Sequence, residues 1–290
     1  MLKLKRISVI GMGLLGSSVT LSAKRELARS RVVGYSHRDS TRQKAGQYGV
    51  AHEIADTLEQ AVAGADLVIL ATPIQTFEDY FKQMAPYLKE GCIVTDVGST
   101  KALPHQWAAA HLPKGVYYVG SHPIAGSEKR GVEFARDDLL VNARCILTRV
   151  RGTRAAAIEV LTDFWSKLGC NVEMMSPANH DRIFGMVSHL PHLTATALVN
   201  SVSQQNIKFA GRGFIDTTRV ASGPSNVWTD ILMTNSETCV EAIEKLVAQL
   251  QTLQDAISAG DMQKVNKILA RAGQKRAKLI QYKIDQKELF

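Results

Sequence analysis

Ile7-Ser8-Val9-Ile10-Gly11-Met12-Gly13-Leu14-Leu15-Gly16-Ser17 decides the reading of this 290-residue chain. A short β-branched run leads into three glycines spaced G-x-G-x-x-G, and a helical pattern opens at Ser17. That spacing is weak by itself. Set between a strand and a helix, it becomes the phosphate-binding turn of a dinucleotide fold. Gly11 permits the tight turn and Gly13 lets the backbone approach a pyrophosphate. Gly16 lets helix and strand pack closely, with the helix N-terminus toward the phosphates. Met12, Leu14 and Leu15 belong to the same turn and are expected beside the cofactor. The alternative is a glycine-rich turn with no ligand. Lys3, Lys5 and Arg6 ahead of the apolar residues 7 to 23 imitate a secretory leader. The glycines inside that run assign it to strand, turn and helix, and no cleavage is expected.

Outward from this turn, residues 1 to about 174 alternate β-branched runs with helical patterns. Strands are expected at 6–10, 32–36, 66–71, 92–97, 116–120, 145–148 and 171–174, with helices at 17–29 and 42–48. Several of these strands are continuous apolar runs, as parallel strands covered on both faces require. The βαβ alternation implies a doubly wound sheet with right-handed crossovers. Beyond Met175 the strand signal ends. Residues 179–204 read as helix, and 227–257 as one long helix with an apolar stripe at Ile243, Leu246, Val247, Leu250, Leu253 and Ile257. Gly260-Asp261 then breaks and recaps the chain before a last helix to about Ile284. The expected architecture is α/β: an N-terminal Rossmann-type doubly wound sheet over residues 1–174, followed by an all-helical domain over 175–290. The stripe packs either within its own domain or against a second copy.

Composition narrows the function classes. Hydrophobic residues make up 45% and charged residues 21%, an ordinary globular balance. No apolar run reaches the ~18 residues of a membrane span. Cys92, Cys145, Cys170 and Cys239 form no C-x-x-C pair and have no second metal ligand nearby, so they read as reduced, buried thiols of a cytoplasmic protein without metal. The net charge of +8 comes largely from Lys264, Lys267, Arg271, Lys275, Arg276, Lys278, Lys283 and Lys287. These are spread around a helix, a solvated pattern rather than a nucleic-acid surface.

The acidic residue that would hold a ribose 2′-hydroxyl about 20 residues past the glycines is missing. The second strand ends Gly34-Tyr35-Ser36-His37-Arg38, with Ser36 in the acid's place and Arg38 just beyond. Arg42, on the next helix, is placed to turn the same way. A 2′-phosphate would meet a fixed cation and no opposing anion, so the expected cofactor is NADP. The third strand ends Ala71-Thr72-Pro73 and the fourth Asp96-Val97-Gly98-Ser99-Thr100-Lys101, both on the carboxyl edge where open α/β sheets bind ligands.

Gly120-Ser121-His122-Pro123-Ile124-Ala125-Gly126-Ser127 closes the fifth strand. An imidazole on that edge can accept a hydroxyl proton while hydride leaves the same carbon; alternatively it braces a turn beside Pro123. Ser188-His189-Leu190-Pro191-His192 places two histidines at i and i+3, on a helix that Pro191 should bend or restart. Without context, either histidine reads as packed or capping. Gly213-Phe214-Ile215-Asp216-Thr217-Thr218-Arg219 reads as a polar loop whose Arg219 either clamps a carboxylate or lies on the surface.

Taken together, the chain resembles the prephenate/arogenate dehydrogenases of tyrosine biosynthesis. The motifs are the glycine turn, Asp96-Val97-Gly98-Ser99-Thr100-Lys101, His122-Pro123-Ile124-Ala125-Gly126-Ser127-Glu128, His180-Asp181 with the residues 188–192, Asp216-Thr217-Thr218-Arg219, and Trp228 followed by Asp230. They fall in the family's order along nearly the whole chain. The resemblance implies that His122 contacts the ring 4-hydroxyl, that Ser99 supports that hydrogen bonding, and that Arg219 binds a substrate carboxylate. It further implies that His192, with His189 as the alternative, lines the substrate pocket, and that the helical domain forms a homodimer. The pattern departs from the family at Ile215, where a polar or basic residue is more usual. It departs again at Ser222-Gly223-Pro224-Ser225, which lacks an acid before the tryptophan. The reaction implied is hydride transfer from ring C4 to the nicotinamide and loss of the C1 carboxylate, with no metal. Two rivals remain. One is a β-hydroxyacid-type dehydrogenase, which would rely on a lysine in the helical domain. The other is an NADP-binding protein without turnover.

Overall fold

The computed structural model describes residues 4–125 and 129–286. Gly126, Ser127 and Glu128 of the His122 motif lie outside the described residues, as do Lys3 and Lys287. The chain divides into two compact units, Met1–Ser236 and Glu237–Phe290.

The first unit opens β1 (Arg6–Ile10), α1 (Leu14–Glu26), β2 (Arg31–Tyr35), α2 (Asp39–Gln47), β3 (Glu53–Ile54), α3 (Leu58–Val62), β4 (Leu67–Leu70), α4 (Phe77–Met84), β5 (Ile93–Asp96), α5 (Ala102–His111) and β6 (Tyr117–Tyr118). These strands form one parallel sheet in the order β3-β2-β1-β4-β5-β6. Alternating side chains feed opposite faces. Val9, Leu67 and Ile69 join one core with Trp165, while Ile10, Val68, Leu70 and Val94 join the other with Phe77 and Phe81. The Rossmann-type reading therefore holds for this sheet. The short β3 carries too little apolar signal to be seen in sequence.

The later strands depart from expectation. Residues 145–148 and 171–174 do not extend the first sheet. A second, three-stranded sheet contains β7 (Gly120–Ile124), β8 (Arg144–Thr148) and β9 (Asn171–Met175), with β7 antiparallel to β8 and β8 parallel to β9. The expected strand at 116–120 shrinks to two residues, and the His122 segment becomes a strand of its own. A side chain marks the point of departure. The Ser121 amide donates to Asp96 Oδ1 at 3.2 Å instead of continuing a ladder on β5. The same carboxylate receives Lys101 Nζ at 2.6 and 3.0 Å and the Tyr118 hydroxyl at 2.7 Å. The Ser121 hydroxyl bonds Thr95 at 2.6 Å and accepts from Trp165 Nε1 at 3.0 Å; Trp165 lies in α6 (Ala155–Lys167). Gly120 is required at the crossing point, because a Cβ there would lie 2.5 Å from Thr148 Oγ1 and 2.8 Å from Lys101 Cδ.

Helices complete this unit. Ser176 caps α7 (Pro177–Phe184), a π turn spans Gly185–His189, and α8 (Leu190–Ser201) follows with Pro191 in its first turn. The expected polar loop is instead α9 (Arg212–Thr218) followed by a 3₁₀ turn, Arg219–Ser222. Thr217 and Thr218 donate to the Gly213 and Phe214 carbonyls at 2.7 Å, so their polar side chains remain compatible with helix. The long helix expected at 227–257 is broken at Asn235 into α10 (Ser225–Thr234) and α11 (Ser236–Ser258). Asn235 Nδ2 donates to the Asp181 carbonyl at 2.9 Å and lies 3.2 Å from His189 Nδ1, a buried pairing invisible to helical periodicity.

In the second unit, α11 and α12 (Met262–Asp285) are separated by Gly260, at φ 64°, and recapped by Asp261, which accepts from the Lys264 amide. Ile243, Val247, Leu250 and Ile257 of the apolar stripe are exposed.

The Asp96–Lys101 pair is fully buried. Lys101→Met should lower unfolding free energy by about 3–5 kcal/mol, because one uncompensated charge stays inside. An unchanged urea midpoint would contradict this account.

Candidate active site

The candidate cofactor end is built from backbone. The N-cap of α1 is Gly13, which has no side-chain cap, and no acid occupies the first turn, so the amide donors are open to an anion. Gly11, at φ 109°, donates its amide to Tyr35 O at 2.7 Å. A Cβ on Gly11 would meet Ala71 O at 2.4 Å, and one on Gly16 would meet Gly11 O at 1.9 Å. A Cβ on Gly13 would meet nothing within 4 Å. Gly11 and Gly16 are therefore glycines for packing, and Gly13 leaves space of the kind a phosphate needs. Gly11, Met12, Gly13, Ser36, His37, Arg38, Ala71, Thr72 and Pro73 all line one cavity of about 630 Å³. Leu14, Leu15 and Gly16 lie in the first turn of α1 and are not part of its wall.

At the far end of that cavity the side chains differ from the sequence reading. Ser36 is buried and accepts from the Arg38 amide at 3.4 Å, while Arg38 itself is exposed. Arg42 turns inward, but it serves the loop: its guanidinium holds Ser36 O at 2.8 Å, His37 O at 3.3 Å and Asp39 at 2.7 Å. Lys44 and Glu133 also line the cavity, paired at 3.4 Å. The expectation of no opposing anion is thus corrected. Glu133 arrives from a distant loop, its carboxyl held below the usual range by its own backbone amide and then by Lys44.

The loop after β4 is pinned from two sides. Asp230 of α10 accepts from the Ile74 and Gln75 amides at 2.5 and 2.8 Å. Gly98 packs so close to Ile74 that a Cβ would lie 3.0 Å away. Ser99, next along, is half-buried. Thr100 then bonds Thr234 at 2.9 Å.

His122 is half-buried on β7, and its Nδ1 lies 2.9 Å from His180 Nε2. His180 Nδ1 lies 2.8 Å from Asp181 Oδ1. The Asp181 carboxylate also accepts the Lys101 and Ala102 amides, each at 2.8 Å, at the start of α5. Phe184 packs on both rings, 5.0 Å from His122 and 4.5 Å from His180. Burial, then His180, Lys101 and His189, push the His122 imidazole well below its ordinary value. Burial also lowers His180, against the pull of Asp181. Both are neutral bases near pH 7.

His192 stacks flat on Trp228, with centroids 3.6 Å apart and planes within 7°. Burial lowers it while a hydrogen bond to the Val220 carbonyl works the other way. Its Nδ1 is buried without a partner. Gly223 makes this stack possible, since a Cβ there would lie 2.2 Å from Trp228 Nε1. Arg219 is exposed and lines a separate cavity of about 540 Å³ with Ile207 and Phe214; His122 is not among its lining residues.

Two models of the prephenate dehydrogenase family match: the nucleotide-binding domain over residues 19–174 and the dimerization domain over residues 176–271. The chain belongs to the prephenate dehydrogenase family. Cyclohexadienyl dehydrogenase of Zymomonas mobilis is 31% identical over 264 residues, 89% of this chain and 90% of that protein. Prephenate dehydrogenase of Bacillus subtilis is 32% identical over 262 residues, 88% of this chain and 71% of that protein. The crystal structure of A. aeolicus prephenate dehydrogenase with hydroxyphenyl propionate and NAD+ aligns at TM-score 0.89 and 32% identity, covering 96% of this chain and 99% of that one.

Within this prephenate dehydrogenase fold, sequence singles out His122 and the glycine turn as candidates but does not show what surrounds them. Lys44, Glu133 and Asp230 acquire their places only through tertiary contact. The His180-Asp181 motif was visible, though not its contact with His122.

Gly13→Ala should leave thermal stability unchanged and weaken nicotinamide-cofactor binding at least ~10-fold, whereas Gly16→Ala should destabilise the fold by about 1–3 kcal/mol through overpacking. Thermal unfolding and cofactor titration separate the two; equal behaviour of both variants refutes the assignment. Burial also holds His105 and His189 at about 4, against 6.5 in an open chain. Below pH 6.5 the unfolded chain binds more protons, so stability is full above that pH and falls toward pH 4, by roughly 2–3 kcal/mol per histidine. Urea unfolding at pH 7, 5.5 and 4 measures the slope, and a flat profile would exclude buried neutral histidines.

Proposed function

We propose that the protein oxidatively decarboxylates prephenate or arogenate in tyrosine biosynthesis, using NADP. One observation carries this reading within the family: a neutral, oriented His122 stands off the carboxyl edge of a sheet whose glycine turn is open for a dinucleotide. Bound there, NADP supplies the hydride acceptor. The groups that fit it are the amides of the turn at Met12 and Gly13, with Gly11 and the loop Ala71-Thr72-Pro73 as cavity wall and Ser36, His37 and Arg38 at the ribose end.

His122 accepts the proton of the ring 4-hydroxyl as the C4 hydrogen leaves with its electron pair. Loss of carbon dioxide from C1 then returns electrons to that oxygen, and His122 gives the proton back as the ring becomes aromatic. Ser99 supports the hydroxyl's hydrogen bonding. Arg219 takes a substrate carboxylate, and His192 forms a wall of the pocket. The division into a cofactor part, 1–174, and a substrate and dimerisation part, 175–290, follows the same roles. The chain works in the cytoplasm as a homodimer, and the exposed stripe Ile243, Val247, Leu250 and Ile257 supports that assembly. No helix among the described residues is long and apolar enough to cross a membrane.

The preference for NADP rests on Arg38 at the cavity, with Lys44 neutralising Glu133 beside it. Purified protein should form reduced cofactor with prephenate or arogenate, and comparing the two at equal concentration fixes the substrate. NADP should exceed NAD at least ~10-fold in kcat/KM, about 1.4 kcal/mol. Arg38→Ala should erode NADP use and spare NAD use. Equal loss with both cofactors, or none, would refute the specificity argument; no turnover with either substrate would refute the activity.

A further inference from the structure

We infer that His180 and Asp181 are positioning residues that lock His122 in the tautomer with its proton on Nδ1, leaving Nε2 as the proton acceptor. This rests on the proposed role of His122, but the tautomer itself is a property of the resting protein.

The reasoning starts at Asp181. A carboxylate only accepts, and this one already takes the Lys101 and Ala102 amides. His180 Nδ1, 2.8 Å from Oδ1, must therefore be an N–H donor. A neutral imidazole has one N–H, so His180 Nε2 carries a lone pair. His122 Nδ1, 2.9 Å away, must then donate into it. The single proton of His122 is now placed, and Nε2 is bare. The reverse polarity would set a lone pair of His180 against the Asp181 carboxylate. A doubly protonated His180 would bury a charge on a side chain with 0% exposure.

The surroundings reinforce the direction. Asp181 sits on the first amides of α5, at the positive end of the helix dipole, so the negative terminus of the relay is fixed by backbone. Phe184 packs on both rings and keeps them in register. Among the described charged and titratable groups nearby, Lys101 of α5 is matched by Asp96 of β5, which also holds the Tyr118 hydroxyl of β6. His189, on the π turn, is lowered to about 4 and stays neutral. When Nε2 takes up a proton, the new imidazolium already donates from Nδ1 along a two-bond path to Asp181. The low value of His122 keeps Nε2 free in the resting state.

The test combines a direct readout with kinetics. In the full-length protein with ¹⁵N-labelled histidine, the His122 resonances, assigned by their loss in His122→Ala, should show a protonated Nδ1 and an unprotonated Nε2 at pH 7. Asp181→Asn can present an amide N–H to His180, reverse the relay and exchange the two signals. It should lower kcat about 10²- to 10⁴-fold with the cofactor KM unchanged. His180→Leu should lower kcat similarly, and His180→Gln, whose carbonyl can still accept from Nδ1, should recover part of it. A wild-type spectrum with the proton on Nε2 overturns the inference, even if the variants fail to fold. Normal kcat in both Asp181→Asn and His180→Leu overturns it as well. Absent turnover in the wild type would instead count against the proposed function and leave the spectrum to decide the tautomer.

Discussion

Four hydrogen bonds from three donors converge on the buried carboxylate of Asp96: two from the Lys101 ammonium, one from the Tyr118 hydroxyl and one from the Ser121 amide. In a low-dielectric interior such a group is tolerated only when its charge is matched and its lone pairs are filled. Meeting that demand draws together the end of β5, the start of α5, the edge strand β6 and the first residues of β7. It also removes the Ser121 amide from the parallel sheet. The chain therefore leaves the dinucleotide fold one residue before His122, and the histidine emerges on a strand belonging to a different sheet. Its position depends on an electrostatic requirement two strands away.

The start of α5 is the second point of convergence. Its first amides are held by Asp181, from a helix eighty residues later in the chain, and Thr100 is tied to Thr234 of α10. From the same α10, Asp230 reaches the loop after β4, where the cofactor cavity has its wall. Carboxylates on two separate helices thus grip the carboxyl edge of the parallel sheet at successive loops. Both contacts are to backbone amides. They fix where loops lie without constraining which side chains those loops present, which suits a site that positions its reactants.

Local grammar made much of this legible. The turn Gly11-Met12-Gly13-Leu14-Leu15-Gly16 sits between a strand and a helix, so its meaning is contained in eleven residues. The apolar runs of β1, β4 and β5 announce burial on both faces. The second sheet is not legible because residues 145–148 and 171–174 carry no local sign of their neighbours, and it is the pairing of β8 with β7 and β9 that separates them from the parallel sheet. The break at Asn235 was missed because helical periodicity continues across it, while its cause is a side chain reaching the Asp181 carbonyl. Sequence turns Arg42 toward the ligand, because it cannot show that three backbone and side-chain acceptors of the loop already hold the guanidinium. Glu133, far along the chain from Ser36, has no local signal connecting it to the cavity they share.

The π turn at Gly185–His189 has a geometric consequence of its own. A π turn is a helix carrying one inserted residue, and each residue of a helix advances the face by about 100°. The insertion therefore acts as a rotational spacer between α7 and α8. It lets His180 face the strand that bears His122 while His192, twelve positions later, faces the indole of Trp228. Removing a single residue from that turn would swing α8 by roughly a quarter of a revolution or more. Every residue type in the site would be kept, yet the phase relation between its two halves would be lost. Chain length between those two histidines is thus as much a part of the site as the side chains themselves.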